Sequence, residues 1–169
     1  MKRIALTSAC VLLGVSALAE DLTAPKEIKD LGWMIGTWSA ETKIKFGAKE
    51  TKIASSMIVS YDGMFLKAVA TDKSDDFTLT KTTMTSWDAA QSQYVSYAFT
   101  NIAPTARIAR GTMIEGKLVL TSDPWEAEGM KTAIRETMWK VSEKKIGLKM
   151  EMQVKDKWVT GMDLVMTKK

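Results

Sequence analysis

The chain has 169 residues, of which 46% are hydrophobic and 26% charged, the balance of one folded domain and not of a disordered or fibrous chain. It holds one Cys and no His, which excludes imidazole-dependent triads, His-ligated zinc and His-ligated haem. The formal net charge of +4 is carried by scattered basic residues, without the stripe that marks a nucleic-acid partner.

The first segment predicts export. Lys2 and Arg3 precede an apolar run, and Ala17-Leu18-Ala19 is a small-residue cleavage site, so residues 1–19 read as a signal peptide and the mature chain begins at Glu20. The apolar run is short for a membrane span and meets Glu20 and Asp21 with no basic flank. Leu6 stands one position too far from Cys10 for a lipoprotein signal, so the expectation is a periplasmic or secreted protein with no stable membrane anchor after cleavage. Loss of residues 1–19 removes Cys10, Lys2 and Arg3 and lowers the net charge to +2, leaving a mature fold without disulfides.

Residues 20–36 form an N-terminal segment. Pro25 near a helix start and Gly32 past its end predict a short helix over 23–31. From residue 37 the pattern is β. Residues 37–46 alternate Trp38, Ala40, Thr42, Ile44 and Phe46 against Ser39, Glu41, Lys43 and Lys45, the mark of a half-buried strand. Further strands are predicted over 51–60, 64–71, 77–87, 92–100, 107–114, 118–121, 131–141, 145–154 and 158–167. They are separated by turn residues such as Asp62-Gly63, Ser74-Asp75-Asp76 and Glu115-Gly116. Residues 122–130, with Pro124, Trp125 and Gly129, are expected to be the longest irregular stretch. Ten strands joined mostly by short turns imply antiparallel neighbours, and closure removes the exposed edges. The fold class is therefore all-β, a ten-stranded antiparallel up-and-down barrel over 37–169 with a short N-terminal helix; an open sandwich is the rival.

Gly36-Thr37-Trp38, opening the first strand after a short helix, resembles the G-x-W signature of the calycin group, the lipocalins and fatty-acid-binding proteins. The longer string Leu31-Gly32-Trp33-Met34-Ile35-Gly36-Thr37-Trp38 resembles uncharacterised bacterial lipocalin-like domains and, more distantly, nitrobindin-type haem barrels. The resemblance implies that Trp38 caps the closed end of the barrel, making Gly36 and Trp38 fold markers. It also implies that a basic residue near the end of the last strand, Lys168 or Lys169, packs over the Trp38 ring. The haem function does not carry over, because the His that holds the iron in nitrobindin-type barrels has no counterpart here.

A barrel of this size can hold one small apolar or amphipathic molecule. Arg135, in the predicted strand over 131–141, is the candidate for a ligand carboxylate, the use to which fatty-acid-binding barrels put an inward Arg; a surface ion pair is the alternative. Arg107 and Arg110 lie on opposite faces of one strand, so at most one points inward. Met150, Met152, Trp158 and Met162 are candidate lining residues, and Trp125 is a candidate lid residue over one mouth. Soft thioethers beside a Trp suit Cu(I), but no His completes such a site, so the methionines read as adaptable packing and no metal or other cofactor is expected. The carboxylates Asp72, Asp75 and Asp76, and Asp123, Glu126 and Glu128, are read as solvated turn residues. No acid–base pair can be placed, so the chain reads as a binder or carrier rather than an enzyme. A barrel with a filled core acting in protein interaction, and a lipocalin-like isomerase or hydrolase, are the alternatives. The sequence does not fix the oligomeric state.

Overall fold

The computed structural model describes residues 23–46, 49–127 and 129–169. The predicted signal peptide and Cys10 lie outside the described residues, as does Glu128. A one-and-a-half-turn helix α1 (Lys26–Asp30) leads directly into a 3₁₀ turn, Gly32–Met34. Ten long strands follow and close on themselves: β1 (Gly36–Phe46), β2 (Lys49–Asp62), β3 (Phe65–Lys73), β4 (Thr78–Asp88), β5 (Gln93–Thr100), β6 (Arg107–Ile114), β7 (Lys117–Ser122), β10 (Ile134–Ser142), β11 (Lys145–Val154) and β12 (Lys157–Lys168). β8 (Trp125–Ala127) and β9 (Met130–Thr132) form a separate two-stranded hairpin between β7 and β10. The order round the barrel is β1-β12-β11-β10-β7-β6-β5-β4-β3-β2. Every pairing is antiparallel between chain neighbours, apart from the closure of β1 on β12 and the step from β7 to β10 over the small hairpin. Among the described residues no helix is long and apolar enough to cross a membrane.

Local chemistry explains the connections. Glu115 and Gly116 both have positive φ, 48° and 75°, the backbone of a two-residue turn whose twist matches that of β6 and β7. At the first turn position of the β2–β3 and β11–β12 hairpins stand Gly63 and Lys155, φ 58° and 56°. The stretch expected to be irregular over 122–130 instead contains β8 and starts β9. Its strands are three residues each, too short for alternation to register in the sequence, and Gly129 at φ 76° makes the reversal. The expected eighth strand consequently begins at Ile134, three residues later than predicted.

The core is concentrated at one end. Ile28 and Leu31 of α1 and its boundary, Met34 of the 3₁₀ turn and Trp38 of β1 are buried against Val59, Leu66, Tyr94, Leu118, Leu120, Ile146 and Met166 from the barrel wall. The helix is thus a plug. Its backbone carbonyls are tied down by barrel side chains: the Tyr94 hydroxyl donates to Glu27 O at 3.1 Å and the Tyr61 hydroxyl to Lys29 O at 3.3 Å. Trp38 Nε1 donates to Met34 O at 2.7 Å, which satisfies the one polar atom of a side chain that is 0% exposed. Lys168 Nζ lies 5.2 Å from the centre of the Trp38 ring, the basic residue that the first-strand motif led one to expect there. Gly36, at φ 137°, leaves the space that the Lys168 side chain fills, so motif, plug and last strand meet at one point.

The seam between β1 and β12 is short. It has two residue pairs, Trp38↔Lys168 and Ser39↔Thr167, whereas β1 pairs with β2 along its whole length. Beyond Ser39 the two strands diverge toward the opposite end of the barrel.

Candidate functional site

The end opposite the plug is built differently. The inward row of β3 ends at Asp72, that of β4 begins at Lys81, that of β6 begins at Arg107 and that of β10 carries Glu136. Each strand thus delivers one ionisable side chain to the same end of the interior, because alternate residues face inward. Glu136 is buried and takes two cations at once: Lys81 Nζ at 2.9 Å on Oε1 and Arg107 Nη2 at 2.9 Å on Oε2. Burial pushes the Glu136 carboxyl up, but Arg107 and Lys81 together pull it further down, so it is held well below the usual carboxylate range. Asp72 accepts the Ser55 hydroxyl at 2.5 Å across the β2–β3 ladder. Among the described residues, two buried side-chain polar atoms lack a partner, Arg107 Nη1 and Thr100 Oγ1.

Between this ionic end and the plug lies an internal cavity of about 70 Å³. Its apolar wall includes Met57, Leu66, Met138, Leu148, Met162 and Met166, and its polar side is formed by Asp72, Lys81 and Glu136 with Thr83, Thr85 and Ser96. Thr85 and Ser96 satisfy each other at 3.2 Å. The arrangement is amphipathic: a soft thioether and aliphatic wall facing a single charged pole.

The residues nominated from sequence divide between the two surfaces of the barrel. Met162 lines the cavity. Met150 and Met152 lie on the inner row of β11, opposite Glu136 and Ile134 of β10. Arg135 and Trp158 lie on the outer surface. Arg135 is adjacent to inward Glu136 and therefore faces out, where Arg135 Nε donates to Glu151 Oε2 at 2.8 Å and the guanidinium stacks 4.5 Å above the Trp158 ring. Lys149 completes this outer cluster at 2.8 Å from Glu151 Oε1, and hydrogen bonds from Arg135 and Lys149 hold the Glu151 carboxyl below its ordinary value. The expectation that Trp158 lines the interior together with Met162 fails at one residue. The β11–β12 register shifts between Met150 and Glu151, which pair with Met162 and Thr160, so Gly161 is an extra residue and the alternation inverts on its far side.

Trp125 lies in β8, half-buried, and its Nε1 donates to Thr105 O at 3.0 Å, tying the small hairpin to the loop before β6. On the hairpin's other flank the Thr132 hydroxyl donates to Gln153 O at 2.7 Å. At its root, Ile134 N donates to the Ser122 hydroxyl at 2.9 Å.

Sequence reading missed Lys81, Glu136 and the inward role of Asp72. Asp72 reads from sequence as a solvated turn residue, but β3 continues to Lys73 and carries it into the interior. Glu136 left a readable signal, since it interrupts the otherwise apolar row Ile134, Met138 on β10. Among the described residues no group of three or more His, Cys, Asp or Glu side chains could hold a metal ion.

The chain belongs to the family described as protein of unknown function DUF1579, whose model matches residues 24–168, a span that takes in the plug and the whole barrel. No curated protein matches the chain.

Proposed function

We propose that this protein is an exported, non-catalytic binder of a small amphipathic molecule held inside a calycin-type barrel. The observation that carries the reading is the interior itself: a methionine-rich apolar wall and one charged pole in the same cavity. Export rests on residues 1–19. The kinship with lipocalins and fatty-acid-binding proteins rests on Gly36-Thr37-Trp38 at the start of β1, the plugging helix and the Lys168 contact over Trp38.

The cavity is about 70 Å³, against roughly 300 Å³ at the low end of small-molecule pockets. Met57, Met138, Met162 and Met166 supply the difference. Their unbranched side chains change rotamer at little cost and can open a larger space around an entering chain. A binding role also accounts for the ionic cluster. Two cations and a carboxylate inside a barrel stabilise it no better than apolar packing of the same volume, so their retention fits recognition better than stability. Glu136, held ionised, is unsuited to act as a general acid near neutral pH, which weighs against a hydrolase or isomerase.

The small volume favours one other reading, a barrel with a filled core that acts through its outer surface. Native mass spectrometry of the protein purified from its own source separates the two. A stoichiometric extra mass that is lost on organic extraction supports the binder. A clean apo mass, with no thermal shift across a panel of small amphiphiles, supports the filled core.

A further inference from the structure

The register shift in β12 that turns Trp158 outward also gathers sulfur on the inside. Gly161 is the extra residue, and together with Met162 it faces Met150. Met152, two residues along the inner row of β11, pairs with Val159. Gly161 has no side chain, and two methionine methyls cover the space it leaves: a Cβ there would stand 3.2 Å from Met152 Cε and 3.8 Å from Met150 Cε. Met162, adjacent in sequence, lines the cavity. Three thioethers are thus carried by one directly opposed pair and one diagonal, roughly 5 to 8 Å apart at the backbone. Unbranched methionine side chains are flexible enough to close such a span. The lack of a His counts against two sulfurs beside an indole; the fold takes Trp158 away and supplies a third sulfur instead.

We propose that Met150, Met152 and Met162 bind one soft monovalent cation of the Cu(I) and Ag(I) class. The surroundings select for it. All three side chains are half-buried, and Val154 and Val159, next toward the open end, are exposed, so solvent reaches the sulfurs from the mouth. The chain has no His, and its one Cys lies outside the described residues, which leaves thioethers as the soft ligands of the barrel. The carboxylates nearest in the strand pairing are engaged elsewhere. Glu136, opposite Met150, holds Lys81 and Arg107, and the outward Glu151 holds Arg135 and Lys149. Hard cations, which need several oxygen ligands, are not served there. In strand order Glu136 on β10 also stands between the sulfurs on β11 and β12 and the cations on β4 and β6, and its charge shields an entering cation from theirs. This site does not rest on the amphiphile reading, since one cation needs no enlargement of the cavity. The thioethers act as neutral donors; no bond of the protein breaks, and no proton or electron moves.

The probe is silver nitrate in chloride-free buffer, titrated into the full chain carrying Cys10→Ser, because a thiol outcompetes thioethers for a soft cation. By NMR the Cε methyls of Met150, Met152 and Met162 are expected to shift together and saturate at one Ag(I) per chain, while the exposed Met64 and Met130 stay unmoved. Thioethers carry no proton to displace, so the affinity is expected to be equal at about pH 5 and about pH 7. Met150→Leu with Met152→Leu removes two sulfurs at similar apolar volume and is expected to keep the melting temperature nearly unchanged. It should weaken Ag(I) binding at least about a hundredfold, since even groups that only support a metal ligand are worth up to that much. Met162→Leu, one change on the other strand, should weaken it about tenfold on the same scale. A first equivalent that moves Met64 or Met130 instead, no shift at any methyl, tighter binding at the higher pH, or unchanged affinity in either leucine variant each overturns the site. The amphiphile reading stands or falls separately, on the native mass.

Discussion

The two ends of this barrel solve the same problem in opposite ways. At the plugged end the buried Trp38 and Tyr94 both have their polar atom satisfied, Trp38 by Met34 O and Tyr94 by Glu27 O. Lys168 contributes its stem and its charge to the outer face of the same Trp. At the other end the strands bring charges inward, and among the described residues two buried polar atoms, Arg107 Nη1 and Thr100 Oγ1, are left over. A core optimised only for stability would not carry such atoms. The contrast teaches that the fold is held from one end, which leaves the other end free to carry chemistry that does not stabilise it. The seam repeats the pattern. β1 and β12 are laced together beside Trp38 and Lys168 and part company beyond Ser39.

The largest effect that can break the comparison is at Trp38. Trp38→Ala empties the centre of the plug and is expected to cost about 4 kcal/mol in chemical denaturation, with a lower unfolding midpoint. A loss below about 1 kcal/mol would mean that the plug does not hold the barrel. Next is Glu136→Gln, which leaves Arg107 and Lys81 facing a neutral amide inside the barrel and is expected to cost about 3 kcal/mol. The double variant Glu136→Met with Arg107→Met is expected to recover most of that loss, since Lys81 can carry its charge to water along its own stem. If the double variant is as unstable as the single one, the pair is stabilising and the two ends are not so different.

The ionic end also predicts a pH dependence. The Glu136 carboxyl is held below its ordinary value in the folded state. Its contribution is therefore complete above the ordinary carboxylate range and is lost as acid protonates the unfolded chain preferentially. Stability should fall from about pH 5 downward, and the fall should be shallower in the double methionine variant than in the wild type. Identical slopes would remove Glu136 from the account. Gly36→Ala forces a side chain onto a positive φ and into the Lys168 stem; about 2 kcal/mol is expected, again at the plugged end. The smallest effect is on the outer surface. Trp158→Ala removes the stack beneath Arg135 and should cost about 1 kcal/mol without altering ligand affinity. A change in affinity would mean that the outer cluster communicates with the interior.

The fold was legible where one strand face is apolar and the other charged. Residues 145–154 alternate without interruption, and β11 has those bounds. The first-strand Trp and its basic partner were expected too, but through the family resemblance that Gly36-Thr37-Trp38 carries, since the partner stands at the far end of the chain. The candidate site was largely illegible, for two physical reasons. Inside a barrel the polar residues that matter interrupt apolar rows one at a time, so Glu136 leaves only a single-residue signal, while its neighbour Arg135 draws the eye as the ligand residue. Alternation also fails silently at a bulge: one extra residue at Gly161 turns Trp158 from the interior to the surface, and no composition signal marks it. β8 and β9 were missed because three-residue strands carry no period.

The most direct test of the account follows the methionine methyl groups by NMR while octanoate is added. Met34, Met57, Met138, Met162 and Met166 line the cavity, whereas Met64 and Met130 are exposed. The account predicts that the five cavity methyls shift together and saturate, with Met64 and Met130 unmoved. Shifts confined to Met64 or Met130, or no shift at any of the seven, would contradict it.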